Sequence, residues 1–412
     1  MRSSHDKGGY LIFLVSPVIA LIYALRNLDN KHSKNIIWFV CAFMGYCFQI
    51  AENYSGDAAR YREKFMSYSK DGTNIEDTLS QLFSNSAHID VVEELISITV
   101  STYSDNYHIL FLVYGLFFGY FFSRNIVYIY EITKTSNKKG LRWVALALFF
   151  TLPPWGINGF RFWAACQIFI FSMLPYIIDN NKKRLLFVIL ASLTHFSFYI
   201  PIIISLVFVV LRLKKNLIFY FYCFSFLFIG VDASTLGKIF VNFVPDIFLS
   251  KYLTYTEGLD LNIKEGGRII EILNKAYTFA ISIFFMISYK SNESFIRSRK
   301  SLNQIFQYGF FFVAVFNILS VIPSVVRFLS IGKWILWIST SYLIVLLGYK
   351  QSIKVTQHLR KLRPFIIMFC LVSSARYLFP VLGVGSFLSG PIFSFLFIGD
   401  DFVIGNIYQY LK

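Results

Sequence analysis

The sequence predicts an all-α, polytopic membrane protein, and three observations carry that prediction. Of the 412 residues, 56% are hydrophobic, 19% aromatic and only 15% charged, whereas a soluble domain carries about 25% charged and about 45–50% apolar residues. The apolar residues are gathered in runs close to the roughly 20 residues a helix needs to cross a bilayer. The basic residues lie in short clusters between those runs, as they do where Lys and Arg fix the orientation of a membrane protein. A soluble enzyme is thereby excluded. The formal net charge of +16 reads as an orientation signal, not as a nucleic-acid surface.

The runs fall at about 10–25, 36–51, 107–130, 142–157, 158–178, 185–211, 216–232, 269–289, 304–322, 328–349 and 364–382, with a short glycine-broken run near 386–398. Together they predict about 11–13 membrane segments. The first leads into Arg26 and Lys31 with no small-residue cleavage site after it, so it reads as a retained helix and not a signal peptide. The five cysteines, Cys41, Cys47, Cys166, Cys223 and Cys370, all lie inside apolar runs. No CxxC or Cys/His cluster accompanies them, so they are expected to pack as small hydrophobes, with no disulfide framework, metal site or cofactor.

Basic clusters at Arg26/Lys31/Lys34, Lys134/Lys138/Lys139/Arg142, Lys182/Lys183/Arg184, Arg212/Lys214/Lys215, Lys290/Arg297/Arg299/Lys300 and Lys350/Lys354/Arg360/Lys361/Arg363 are all assigned to the inside. The run 185–211 has such a cluster on both flanks. A single crossing would expose one of them, so the run is expected to be a helical hairpin broken near Thr194-His195-Phe196-Ser197. Its bend lines a cavity near the outer face, since non-helical backbone is tolerated at membrane depth only there. The remaining connections then face outward: the long segment 52–106, the turn Pro153-Pro154-Trp155-Gly156, the segment 232–267 and the turn at Pro323. The first of these contains Val91 to Val100, too short to span and expected to lie along the interface or re-enter. No repeat of fixed period is found, so 1–412 reads as one transmembrane domain with outer loops at 52–106 and 232–267.

Ionisable residues within apolar runs cost roughly 2.5–3.5 kcal/mol each at a helix centre, which makes each a functional candidate. Arg161 follows the Pro- and Gly-rich break that includes Asn158, His195 sits at the expected bend, Arg327 follows Pro323, and Arg376 lies late in its run. Asp57, Arg60 and Arg62 leave the second helix at the same outer level, and Arg268 follows Gly266-Gly267. Bland alternatives stand beside these readings. Arg268, Arg327 and Arg376 would snorkel to headgroups, His195 would bond a neighbouring carbonyl, and Asp57 with Arg60 would form an i,i+3 surface pair.

Several guanidinium groups, an imidazole and a carboxylate at one membrane face suit a particular substrate. Arginine forks bind phosphate oxygens bidentately and hold a pyrophosphate as it leaves. A histidine takes a proton from an attacking hydroxyl. A lipid-linked sugar pyrophosphate at the outer leaflet fits this arrangement.

Three segments carry a resemblance: Gly56-Asp57 through Tyr61, Ile157-Asn158-Gly159-Phe160-Arg161 through Ala165, and Leu193-Thr194-His195-Phe196-Ser197. Their order and spacing over about 10–215 resemble the EpsG family of Wzy-like polysaccharide polymerases, and Arg327 agrees beyond them. Where that family often has Gln after the arginine, Phe162 stands here. The resemblance implies a GT-C-like, inverting, metal-independent glycosyltransferase. It would join repeat units carried on undecaprenyl pyrophosphate at the outer face of the bacterial inner membrane, with a chain-length regulator as a further partner. It also implies roles. Arg161 contacts the donor pyrophosphate, His195 is the base, and Asp57 orients the acceptor or assists His195. Arg60, Arg327 and Arg376 supply further contacts. From residue type and depth alone, Arg62, Asn158 and Arg268 are added as expected substrate-binding residues. The choice between His195 and Asp57 as base, and between Arg60 and Arg62, stays open on sequence. An O-antigen ligase, a flippase of the same lipid-linked sugar and a membrane-bound acyltransferase are the competing readings.

Overall fold

The computed structural model describes residues 8–50, 56–71, 90–133, 154–211, 213–229, 265–320, 325–351 and 381–394. Among them regular structure is helical, and the one β-type pairing is an isolated antiparallel bridge between Phe48 and Leu382. The protein is an all-α, polytopic membrane protein. Four helical stretches, Tyr107–Thr133, Gly156–Asp179, Lys300–Leu319 and Arg327–Leu347, are long and apolar enough to cross a bilayer. Shorter apolar helices accompany them at Pro17–Arg26, Phe196–Leu211, Lys215–Phe228, Thr278–Lys290 and Val384–Phe393. Most of the expected run 142–157 and all but the end of 364–382 lie outside the described residues, as does the tail of 386–398.

Contacts divide the chain into two units, one from Met1–Tyr176, Asn181–Tyr199 and Val345–Lys412, the other from Ile177–Asn180 and Ile200–Ile344. The first holds α1 (Gly8–Val15), α2 (Pro17–Arg26), α3 (Ser33–Tyr46), α4 (Asp57–Asp71), α5 (Val91–Ser101), α6 (Tyr107–Thr133), most of α7 (Phe160–Asp179) and α8 (Phe187–Thr194). Nearly all of α9 (Tyr199–Leu211), then α10 (Lys215–Phe224), α11 (Glu265–Lys290), α12 (Glu293–Ser298), α13 (Lys300–Leu319) and most of α14 (Val326–Gln351) belong to the second. The first unit resumes with α15 (Val384–Phe393).

The first apolar run is two helices because Ser16 caps α2 and Pro17 occupies its first turn, the position where a missing N–H costs nothing. The most extensive packing in the first unit is between α3 and α6. Gly115 and Gly119 form a GxxxG step on α6 and meet Cys41, Ala42 and Trp38 of α3. A Cβ on Gly119 would fall 2.6 Å from the Cys41 Cβ, so close backbone approach is what these glycines provide. Trp38 Nε1 donates to the Leu116 carbonyl at 2.7 Å and fastens the same seam. Buried Asn125 of α6 donates to the Gln167 backbone carbonyl of α7 at 2.8 Å, an interhelical bond of the kind that holds bundles together where water is absent.

The segment 185–211 breaks where expected. His195 is extended at φ −152°, ψ 111° between α8 and a 3-10 turn, Phe196–Phe198, that opens α9. The short apolar stretch within 52–106 forms α5, which packs on α4, α6 and α8 inside the first unit.

In the second unit α10 packs along α13. Two polar contacts link its helices: Tyr222 Oη donates to the Ser282 carbonyl at 3.0 Å, and Ser205 Oγ and the Tyr308 hydroxyl share a bond of 2.7 Å.

Candidate functional site

The site is built at the break in the sixth apolar run, 185–211, and at the start of α7. A helix that stops at Thr194 and restarts at Phe196 leaves amides without helical acceptors. Asp90, the residue before α5, takes one of them: Phe196 N–H donates to Asp90 Oδ1 at 2.8 Å. An aspartate in this position normally caps its own helix. Asp90 makes no such bond, because its carboxylate is turned toward the break.

The other oxygen, Oδ2, is shared. His195 Nδ1 lies 3.0 Å from it, and Arg161 Nη1 donates to it at 3.1 Å. Arg161 is placed by the 3-10 turn Pro154–Gly159, which delivers it into the first turn of α7. Its Nε donates to the Tyr61 hydroxyl at 3.3 Å, and its guanidinium lies 5.8 Å from the Tyr61 ring centroid. The three side chains keep part of their surface open, 37% for Arg161, 23% for His195 and 16% for Asp90, so a ligand reaches them without unfolding the site. Burial alone pushes the Asp90 carboxyl up. The hydrogen bond and charge of His195, the Phe196 N–H and the Arg161 guanidinium outweigh it and hold the carboxyl below its ordinary value. Burial raises the Tyr61 phenol, with Arg161 opposing.

Ionic contacts between α4 and α5 anchor this group. Glu93 and Glu94, one turn into α5, are buried, and Lys64 of α4 pairs with both. Glu93 also accepts from Ser97 at 3.0 Å and from Tyr114 at 3.1 Å, and Glu94 accepts from Tyr68 at 2.6 Å. Tyr114 stacks on Phe160 with ring centroids 4.0 Å apart. Phe160 immediately precedes Arg161, so the network holds both ends of the Asp90–Arg161 pair.

The residues expected from sequence are distributed unevenly around this core. Arg161 and His195 are brought together, through Asp90. Asp57 pairs with Arg60 on the surface of α4, the bland i,i+3 alternative. It nonetheless sits beside the Arg161 turn, since a Cβ on Gly159 would lie 3.5 Å from Asp57 Oδ2. It makes no hydrogen bond to His195. Arg62 is turned the other way and donates to the Ile50 carbonyl. Asn158 is buried within the 3-10 turn. Arg327 is exposed at the start of α14 in the second unit. Arg268 lies in α11 with its side chain outside the described set, and Arg376 is outside the described residues.

Sequence reasoning missed Asp90, Tyr61, Lys64 and the Glu93/Glu94 pair. Asp90 precedes an apolar stretch and reads as an ordinary helix cap. The acidic pair inside Val91-Val92-Glu93-Glu94-Leu95 was the available signal, because two carboxylates in so apolar a segment need partners. Phe162, where the family often has Gln, places its ring edge-on to His195 at 6.0 Å. Among the described residues no three His, Cys, Asp or Glu side chains converge as metal ligands would.

No curated protein and no solved structure matches the chain. The model of the EpsG family matches residues 36–394, a span that takes in every element of the Asp90 site, and the chain therefore belongs to the EpsG family.

Proposed function

We propose that this protein polymerises oligosaccharide repeat units carried on undecaprenyl pyrophosphate, by inverting, metal-independent glycosyl transfer at the outer face of the bacterial inner membrane. Membership of the EpsG family supports a polysaccharide-polymerase function in general. The observation that carries the finer reading is the sharing of one carboxylate, Asp90, between a permanent cation and an imidazole at a partly open position.

The chemistry follows from that geometry. With Nδ1–H donated to Asp90, the lone pair of His195 resides on Nε2, the nitrogen that takes a proton. The acceptor hydroxyl gives its proton to Nε2 while its oxygen attacks the anomeric carbon from the side opposite the phosphate. A new C–O bond forms, the C–O bond to the pyrophosphate breaks with inversion, and the lipid pyrophosphate departs with the bonding pair. Arg161 keeps donors beyond those used on Asp90 and Tyr61, and these receive the leaving phosphate oxygens. Asp90 aligns the base and balances the imidazolium that forms. Asp57, beside the Arg161 turn, orients the acceptor, and Arg60 adds a contact once substrate draws it from Asp57. Arg268, Arg327 and Arg376 remain proposed phosphate or sugar contacts.

The test is extension of lipid-linked repeats by the purified chain in detergent. Wild type is expected to produce a ladder of lengths, and Arg161→Ala and His195→Ala single units. A ladder in both variants overturns the roles, and absence of extension by wild type beside an active control polymerase favours transport.

A further inference from the structure

We propose that a pair of aromatic-stacked arginines, Arg124 and Arg184, at the far end of α6 from the Asp90 site, binds the phosphodiester headgroup of an anionic phospholipid. Tyr120, Arg124 and Tyr128 follow one another at four-residue steps on α6 and so share a face. The Arg124 guanidinium lies 3.9 Å from the Tyr120 ring centroid and 4.7 Å from that of Trp38. The Arg184 guanidinium lies 4.4 Å from the Phe171 centroid and 5.3 Å from that of Tyr128. Ring faces attract a guanidinium through its charge and hold it in place, while its N–H donors stay available for other partners.

Those edges are only partly used. Arg124 donates to Ser123 Oγ at 2.9 Å and to Asn35 Oδ1 at 3.4 Å. Arg184 donates to the Phe171 carbonyl at 3.4 Å. Neither forms an ion pair among the described residues. Of the carboxylates on adjoining elements, Asp29 accepts from Tyr130 at 2.9 Å, while Glu131 and Asp179 are exposed. Two half-buried fixed cations with donors to spare and no carboxylate partner among the described residues fit a phosphate.

Two features point to a lipid as the source of that phosphate. Beside the arginines the surface is apolar: Leu186 is 74% and Ile189 63% exposed, and Phe39, stacked on Trp38, is exposed as well. A ligand with acyl chains next to its charge covers such a surface, and a free anion does not. This end of the helices also carries Lys31, Lys34, Lys182 and Lys183, the composition of a leaflet face rich in anionic lipid. Arg124 is ten residues from Tyr114, about 15 Å along the helix, so the lipid site is separate from the Asp90 site and does not depend on the function proposed for it.

The test is lipid retention by the purified full-length chain, measured by native mass spectrometry during titration with phosphatidylglycerol or phosphatidylcholine. Wild type is expected to prefer phosphatidylglycerol. The double variant Arg124→Gln/Arg184→Gln is expected to lose about tenfold in that preference, whereas Lys182→Gln/Lys183→Gln, a change of equal charge without stacking, keeps most of it. If the Gln variant does not fold, Arg124→Lys/Arg184→Lys preserves charge but not the planar stack, and the same loss is expected. Equal binding of the two lipids by wild type, or a preference unchanged in the arginine variants, overturns the proposal. Displacement of phosphatidylglycerol by millimolar inorganic phosphate also overturns it, by assigning the site to a free anion.

Discussion

Asp90 is the residue on which the site turns. Its two oxygens serve three donors, from Phe196, His195 and Arg161, and no other described side chain joins the helix break to the start of α7 in this way. Replacing it by Asn preserves shape but removes the charge and offers the imidazole only one acceptor oxygen. Asp90→Asn is expected to lower the rate of chain extension by about 100-fold or more, the scale of a general-base contribution, with little change in folded yield. The same carboxylate makes stability depend on pH. Its folded-state pKa is held below the ordinary 3.8, so its contribution is fully present above that value and is lost as pH falls through the lowered one. Thermal unfolding in detergent is expected to lose stability below about pH 4 in wild type more steeply than in Asp90→Asn, and parallel curves would remove the linkage.

At the scale of elements, two arrangements position that residue. The α3–α6 seam relies on Gly115 and Gly119, where side chains would collide with the facing backbone or with Cys41. Gly115→Leu is expected to destabilise the first unit by about 1–3 kcal/mol, the scale of overpacking, read as a lowered detergent melting temperature. α5 is held by Lys64, which serves two buried carboxylates. Lys64→Met leaves them without their cation, and removing one member of a buried ionic group costs about 3–5 kcal/mol, less here because the lysine is one-third open. Glu93→Gln/Glu94→Gln added to Lys64→Met is expected to recover most of the melting temperature. A merely additive triple variant would show the network to be unimportant.

For the whole molecule, the basic clusters and the break at His195 make a topological prediction. An introduced cysteine at Ser197 is expected to react with an impermeant thiol reagent from outside intact cells, and one at Lys182 only after permeabilisation. The reverse pattern would place the Asp90 site on the cytoplasmic side and remove the outer-leaflet substrate with it. Exposed apolar side chains at Leu11, Ile19, Leu186 and Val210 are what a chain with lipid for solvent leaves on its surface.

The sequence by itself determined the class of fold and the break near His195, and it brought Arg161 and His195 forward as candidates. These are local or compositional properties: hydrophobic run length, positive charge between runs, and Pro or Gly at breaks act within a few residues. Only the tertiary structure decided that Asp90 is the common partner, that Arg62 faces a backbone carbonyl, and that Asp57 pairs with Arg60 instead of His195. Asp90 reaches Phe196 across 106 positions of sequence, and an aspartate before a helix is chemically the same residue whether it caps that helix or turns outward. Which it does depends on the donors packed against it, and those are set by Lys64, Tyr114 and the glycine seam that fix where α5 lies.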